Sequence, residues 1–196
     1  MKNIVRWYPD NTYLLKSLSM EITSGENTII VGRQGDGLDT LLRIVTGLEE
    51  PNEGNVEIFV ESAYVAEDFP LVDNMRVKDY FQMLNYMKKN SAEVNRMFNI
   101  LENIGLFKKQ NWHVKNLSGY ERCILSVGLA MYKSSQLLIM GNCIKNLSEK
   151  EKTQFWNHLS KWIPDVSVLF FTDDILCISD FDKKYTLNDG QLIELH

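Results

Sequence analysis

Gly32, Gly35 and Gly37 fall inside one short run, Gly32-Arg33-Gln34-Gly35-Asp36-Gly37-Leu38-Asp39-Thr40. Glycines at this spacing permit positive-φ turns that aim successive backbone N–H groups at one point. A helix starting behind such a turn adds its own amides and partial positive charge, which makes an anion cradle of the GxxxxGK[ST] kind with one extra glycine. The groups that normally grip the anion are different here. Leu38 stands where a lysine would reach the terminal phosphates, Asp39 where a hydroxyl would hold magnesium, and Asp36 adds a second carboxylate; Thr40 follows one place later. Micromolar-to-millimolar affinity amounts to only about 4–8 kcal/mol in total. A unit charge pair about 4 Å apart at an effective dielectric near 20 is worth about 4 kcal/mol. Exchanging a cation for one or two anions therefore predicts weak or absent magnesium–nucleotide binding at this loop. Two alternatives stay open at this point: Asp39 holds a metal directly, or the run is an ordinary glycine-rich turn.

The elements that must position this loop alternate between strand and helix, which predicts an α/β fold with a largely parallel sheet. Asn27–Val31 is a short buried-strand pattern before the loop, and Leu38–Gly47 is helical, with Gly47 as C-cap and Pro51 beyond it. Asn55–Phe59 and Ala63–Ala66 read as strands. From Val77 to Phe107 the period becomes helical, broken at Asn90-Ser91 with Ser91 as an N-cap. After Leu117 the sequence predicts a helix over Tyr120–Tyr132, a strand at Leu137–Met140, a helix over Ser148–Trp162, a strand at Val168–Phe171 and a final Asp-Gly hairpin. The expected organisation is a core of residues 1–72 and 116–196 with a helical subdomain, 73–115, inserted into it.

Bulk properties narrow the function classes. A net charge of −5 gives no electrostatic case for nucleic acid. The opening MKNIVRWYPD has neither the apolar run nor the cleavage site of a signal peptide, and the apolar runs LLIM and VLFF are too short to cross a bilayer. Cys123, Cys143 and Cys177 are odd in number and widely spaced, as are His113, His158 and His196, so neither a disulfide framework nor a metal site is expected. The cysteines read as small buried hydrophobes in a reducing, cytoplasmic compartment.

A second motif, Leu117-Ser118-Gly119-Tyr120-Glu121-Arg122, opens the helix that precedes the Leu137–Met140 strand. Alone it is a helix capped by Ser118. It stands, however, in order with other landmarks: Tyr8, Leu14, Leu15, Leu18 and Ser19 at the start, Gly25-Glu26, the Thr46–Gly54 stretch, and Asn188-Asp189-Gly190. In this arrangement the chain resembles, over essentially its whole length, the ATP-binding cassette (ABC) family, whose signature is LSGGQ. The resemblance implies a P-loop NTPase-like α/β core with N-terminal antiparallel strands, a mostly parallel sheet and an inserted helical subdomain.

What the resemblance implies can be followed residue by residue. A vestigial nucleotide site would comprise Gly32, Gly35, Gly37 and Thr40, with Tyr8 (or Trp7) near an adenine-stacking position and Ser118 and Gly119 facing a partner's nucleotide. The acidic pair that should supply a magnesium ligand and a general base falls on Gly141 and Asn142, the following Leu-Asp pair on Leu147-Ser148, and the switch histidine on Asp173. The glutamine of the loop entering the helical subdomain falls on Glu67. Tyr120, in place of a glycine, is expected to obstruct the approach to nucleotide, and Tyr8 and Trp7 are expected to pack. No catalytic residue and no metal ligand is expected, and ATP with magnesium is expected to bind weakly or not at all. The partners implied are a membrane-spanning transporter subunit, met near Glu67 through Phe69, Pro70, Leu71 and Val72, and a second ABC ATPase subunit. The expected place is the cytoplasm, peripheral on the inner face of the membrane. An atypical active ATPase and a soluble scaffold of the same fold are the competing functions.

Overall fold

In the computed structural model the described residues are 1–9, 13–33, 35–88, 93–133, 135–174 and 181–195, with only the backbone described at 87, 88, 93 and 94. Gln34, Asn90, Ser91, Cys177 and His196 lie outside them. Strands β1 (Lys2–Trp7), β2 (Tyr13–Leu18) and β4 (Glu53–Asn55) form a small antiparallel sheet in the order β2-β1-β4. Strands β3 (Thr28–Gly32), β5 (Ser62–Val65), β6 (Leu137–Met140), β7 (Ser167–Thr172), β8 (Lys183–Asn188) and β9 (Gln191–Leu195) form the main sheet, in the order β5-β6-β7-β3-β8-β9. All neighbours in it are parallel except the β8–β9 hairpin. That hairpin turns on Asp189 and Gly190, both at positive φ, as the tight Asp-Gly turn requires.

Strands β3, β6 and β7 are buried along their whole length. Covered on both faces, they carry apolar residues at successive positions, Ile29–Val31, Leu137–Met140 and Val168–Phe171, which read as unbroken runs, with Thr28, Ser167 and Thr172 buried at their ends. Their side chains divide between two cores. Ile30, Ile139, Leu169 and Phe171 face the antiparallel sheet and helix α1 (Leu38–Val45). Ile29, Val31, Leu138, Met140, Val168 and Phe170 face the other helices. These are α2 (Val77–Lys88), α3 (Glu93–Asn103), α4 (Gly119–Ala130) and α5 (Glu149–Trp162). Gly128 on α4 lets α3 come close: a Cβ there would sit 3.3 Å from Ile100 Cγ2 and 3.0 Å from Ile104 Cδ1 just beyond α3.

Two expected elements differ. The helix expected to reach Tyr132 ends at Ala130 and tightens into a 3-10 turn, Met131–Lys133. The strand expected over Asn55–Phe59 is instead Glu53–Asn55. Its neighbour β1 begins at Lys2, the residue opposite Asn55, so the continuation finds no ladder to join. Beyond Asn55, Ile58, Phe59 and Val60 are exposed, Phe59 at 87%.

Candidate functional site

The loops leaving β3, β5, β6 and β7 emerge at the carboxyl ends of adjacent parallel strands, the edge where α/β sheets place their ligands. After β3, Gly35 and Gly37 both take positive φ. Gly37 caps α1 and has no room for a side chain, since a Cβ would lie 2.8 Å from Leu15 Cδ2. Leu38 packs against the core around α1, with its Cδ1 only 3.3 Å from where a Gly32 Cβ would be. The residue at the lysine position is thus turned toward the sheet. Asp36 closes the loop on itself: its carboxylate accepts from the Arg33 amide (3.2 Å), and its own N–H donates to the Arg33 carbonyl (3.1 Å). Exposed Asp39 lies in the first turn of α1, where the helix end favours an anion, and Thr40 follows half-buried.

At the β5, β6 and β7 ends the chain is bridged by its own side chains. Asn142 is 5% exposed and donates from Nδ2 to Asp173 Oδ1 at 2.7 Å, joining the two positions where a general base and a histidine were sought. Its Oδ1 has no hydrogen-bond partner among the described residues. Gly141 donates its N–H to the Val65 carbonyl at 2.8 Å, and a Cβ on it would be 2.9 Å from the Glu67 backbone nitrogen. Glu67 forms an ion pair with Lys145. Its hydrogen bond to Glu67, with Asp68 and Asp173 nearby, holds the Lys145 ammonium above the usual lysine range. Lys152, almost buried, pairs with Asp174 and with Glu149 (2.9 Å), and hydrogen bonds to both push it far above that range. Burial first, and then the carboxylates of Asp39 and Glu67 against the opposing Arg43 cation, raise the Tyr64 phenol.

The signature residues start α4. Ser118 is its N-cap in a complete capping box: Oγ accepts from the Glu121 amide (3.2 Å), and the Ser118 amide donates to Glu121 Oε2 (3.0 Å). Ser118 and Gly119 are exposed. Tyr120 beside them is half-buried. Its ring packs against the core and its hydroxyl meets His158 Nδ1 at 3.0 Å on α5, while His158 Nε2 meets the Asn103 carbonyl. A large aromatic beside an apolar core gains more by burial than by standing over an open helix end.

Lys109 pairs with Glu121 across from α4. Burial alone would raise the Glu121 carboxyl, but the hydrogen bonds from Lys109 and Ser118 outweigh it and hold the pKa below the usual range. A depressed carboxylate contributes stability that is present above its unfolded pKa of about 4.3 and is lost as pH falls through the folded value. Glu121→Gln keeps the cap and removes the ion pair. At pH 7 urea unfolding should show it less stable by about 1 kcal/mol or less, given the partial exposure of both partners. The difference should shrink as pH falls below the usual carboxylate range; a difference unchanged by acid would contradict the assignment.

Other expected residues separate from this edge. Trp7 packs on Tyr13 with ring centroids 5.7 Å apart, but Tyr8 is 46% exposed, so packing holds for the first and not the second. Phe69 and Leu71 fill the core junction, leaving Pro70 and Val72 exposed. A cleft of about 700 Å³ opens at the opposite, amino-terminal ends of β6, β7 and β8, lined by Leu137, Ser167 and Lys183, and holds none of the candidate residues. Lys145, Lys152 and the meeting of Cys123 with Cys143 escaped the sequence reading, because no motif or period marks them.

The ABC transporter family model matches residues 15–145, more than half of the chain. The phosphonates import ATP-binding protein PhnC of Fusobacterium nucleatum is 29% identical over 181 residues, 79% of this chain and 72% of that protein. The sn-glycerol-3-phosphate import ATP-binding protein UgpC of Psychromonas ingrahamii is 28% identical over 97% of this chain, and the chain spans 55% of its length. The methionine import ATP-binding protein MetN of Clostridioides difficile is 30% identical over 71% of this chain and 49% of its own length. Among solved structures, the ADP conformation of an ATP-binding cassette of an ABC transporter superposes with a TM-score of 0.84 at 19% identity, covering 98% of this chain and 87% of that one. With the order of its landmarks, its sheet and its glycine loop all in agreement with these matches, the chain belongs to the ABC transporter family, as an ATP-binding cassette domain.

Proposed function

We propose that this cassette is a non-catalytic partner in a membrane transport complex, its own ATP site degenerate. The observation that carries the reading is the state of the β6 end. Gly141 occupies the place of a magnesium-binding carboxylate, and the Glu67 backbone fills the space such a side chain would need. Asn142 has no basic carboxylate to accept a proton from water. The remainder of the edge agrees: an apolar Leu38 packed against the core, and an Asp36 carboxylate that places a negative charge within the loop. These residues do not fit a magnesium–triphosphate, so no hydrolytic step is derived.

In this proposal residues 73–115 are the inserted helical subdomain. The partners are a membrane-spanning subunit and a second, competent ABC ATPase, toward whose nucleotide the exposed Ser118 and Gly119 could donate from the α4 N-terminus. The likeness to PhnC, UgpC and MetN supports an import complex. No helix among the described residues is long and apolar enough to cross a membrane, which fits attachment to the inner membrane face through partners.

Calorimetric titration of the purified chain with Mg-ATP to millimolar concentration tests the reading, paired with a phosphate-release assay. The expected result is no isotherm tighter than 100 µM, roughly 5.5 kcal/mol, and no turnover. Turnover should appear only once a competent cassette is added. Tight binding with turnover by the chain alone would establish the atypical active ATPase instead.

A further inference from the structure

Cys123 lies in the second turn of α4, and Cys143 directly follows Asn142 in the loop leaving β6. The fold brings their sulfurs to 3.5 Å. Cys123 is 6% exposed, whereas Cys143 is half-buried. Both are free thiols. We infer that Cys123 and Cys143 are a modification site, an oxidisable pair that forms a reversible intrachain disulfide and ties α4 to the loop carrying Gly141 and Asn142.

The geometry asks little of the chain. The sulfurs must close from 3.5 Å to the covalent distance of about 2.0 Å. Cys123 sits on a helix packed on both sides by the core, while Cys143 begins a loop whose Lys145 and Asn146 are exposed, so the loop can supply the movement. The oxidant is a small-molecule disulfide. The thiolate of Cys143, the more exposed residue of the two, attacks it, forms a mixed disulfide and releases one small thiol. The Cys123 thiolate then attacks the Cys143 sulfur, closes the intrachain bond and releases the second thiol. Two protons leave the cysteines for the departing thiolates, and two electrons reduce the small disulfide. The contact with Cys123 and burial both push the Cys143 thiol up, which lowers the thiolate fraction available for attack.

The inference is independent of the nucleotide reading. Its test uses the full chain with Cys177→Ser, so that the two thiols in question are the only ones left. The protein is equilibrated in glutathione buffers of stepped redox ratio, folded and in urea, then acid-quenched and weighed intact. The expected product loses two hydrogens without adding glutathione, is restored by dithiothreitol, and yields a linked Cys123–Cys143 peptide. Its equilibrium constant should be at least tenfold higher folded than unfolded, the signature of sulfurs held together by the fold. Adding Cys143→Ser should abolish the product, with an unchanged circular dichroism spectrum confirming the fold. Retention of both thiols, a persistent single glutathione adduct, or a folded-to-unfolded ratio below ten would each overturn the assignment.

Discussion

Asn142→Asp is expected to destabilise the protein by about 2–3 kcal/mol at pH 7, even though the two side chains have nearly the same shape. The amide Nδ2 donates to Asp173 at 2.7 Å from a position only 5% exposed. A carboxylate there exchanges a charge-assisted hydrogen bond for repulsion between two anions, one of them cut off from water. Asp173 is exposed and can turn outward, which keeps the cost below that of a fully buried like-charge pair. The sign with pH follows. The pair's folded pKa is raised above the unfolded value of about 3.9, so the penalty holds at neutral pH and fades as pH falls through the raised value. Asn142→Leu should cost less at pH 7, because it also removes the unpartnered Oδ1, and should gain nothing from acid. Urea unfolding of the three proteins at pH 7 and pH 4 decides the matter. An Asn142→Asp variant as stable as the parent at pH 7 would show that the Asn142–Asp173 bridge does not form.

The second large effect concerns Gly141→Asp. A Cβ at this position meets the Glu67 backbone nitrogen at 2.9 Å and Leu42 Cδ2 at 3.3 Å. Backbone cannot swing aside as a side-chain tip can, and Gly141 is itself anchored by its 2.8 Å bond to Val65. Overpacking of this kind, with a charge added at a buried place, is expected to cost about 3 kcal/mol or more. At this chain length that lowers the melting temperature by roughly 6–12 °C. Gly141→Ala separates the two causes: it carries the same Cβ without the charge, and it should show at least a third of the loss. A neutral alanine variant would mean that the two loops are not in contact. The combined reversion Leu38→Lys, Asp39→Ser, Gly141→Asp and Asn142→Glu should therefore fail to restore turnover by the chain alone, whereas a site short of charges only would regain it.

The frame of the molecule was readable because its central strands are covered on both faces. Ile29–Val31, Leu137–Met140 and Val168–Phe171 are apolar throughout, and they announce themselves as runs. The two capping boxes, Ser118 with Glu121 and Ser148 with Glu151, fix helix starts by local chemistry alone. The stretch after Asn55 misled for the opposite reason. A strand-like stretch shows that a segment can pair, and only the neighbouring strand decides whether it does. At the candidate site motif order alone sets the positions of Leu38, Gly141, Asn142 and Asp173. The contacts these residues make are invisible there. Lys145 meets Glu67 across 78 positions, Asn142 meets Asp173 across 31, and Cys123 meets Cys143 across 20. Such meetings depend on how loops turn after leaving the sheet, and no spacing rule encodes that. Tyr120 shows the same point for a side chain: its position in the signature does not reveal that its ring packs against the core and its hydroxyl meets His158.

The bridges Glu67–Lys145, Asn142–Asp173 and Lys152–Asp174 have one consequence that a bound ligand would not share. A contact supplied by a diffusing molecule is filled according to its concentration relative to a dissociation constant, and it empties when the supply runs low. Contacts between side chains of one chain carry their effective concentration with them. The loops at this edge are therefore held to the same degree in a starved cell as in a fed one.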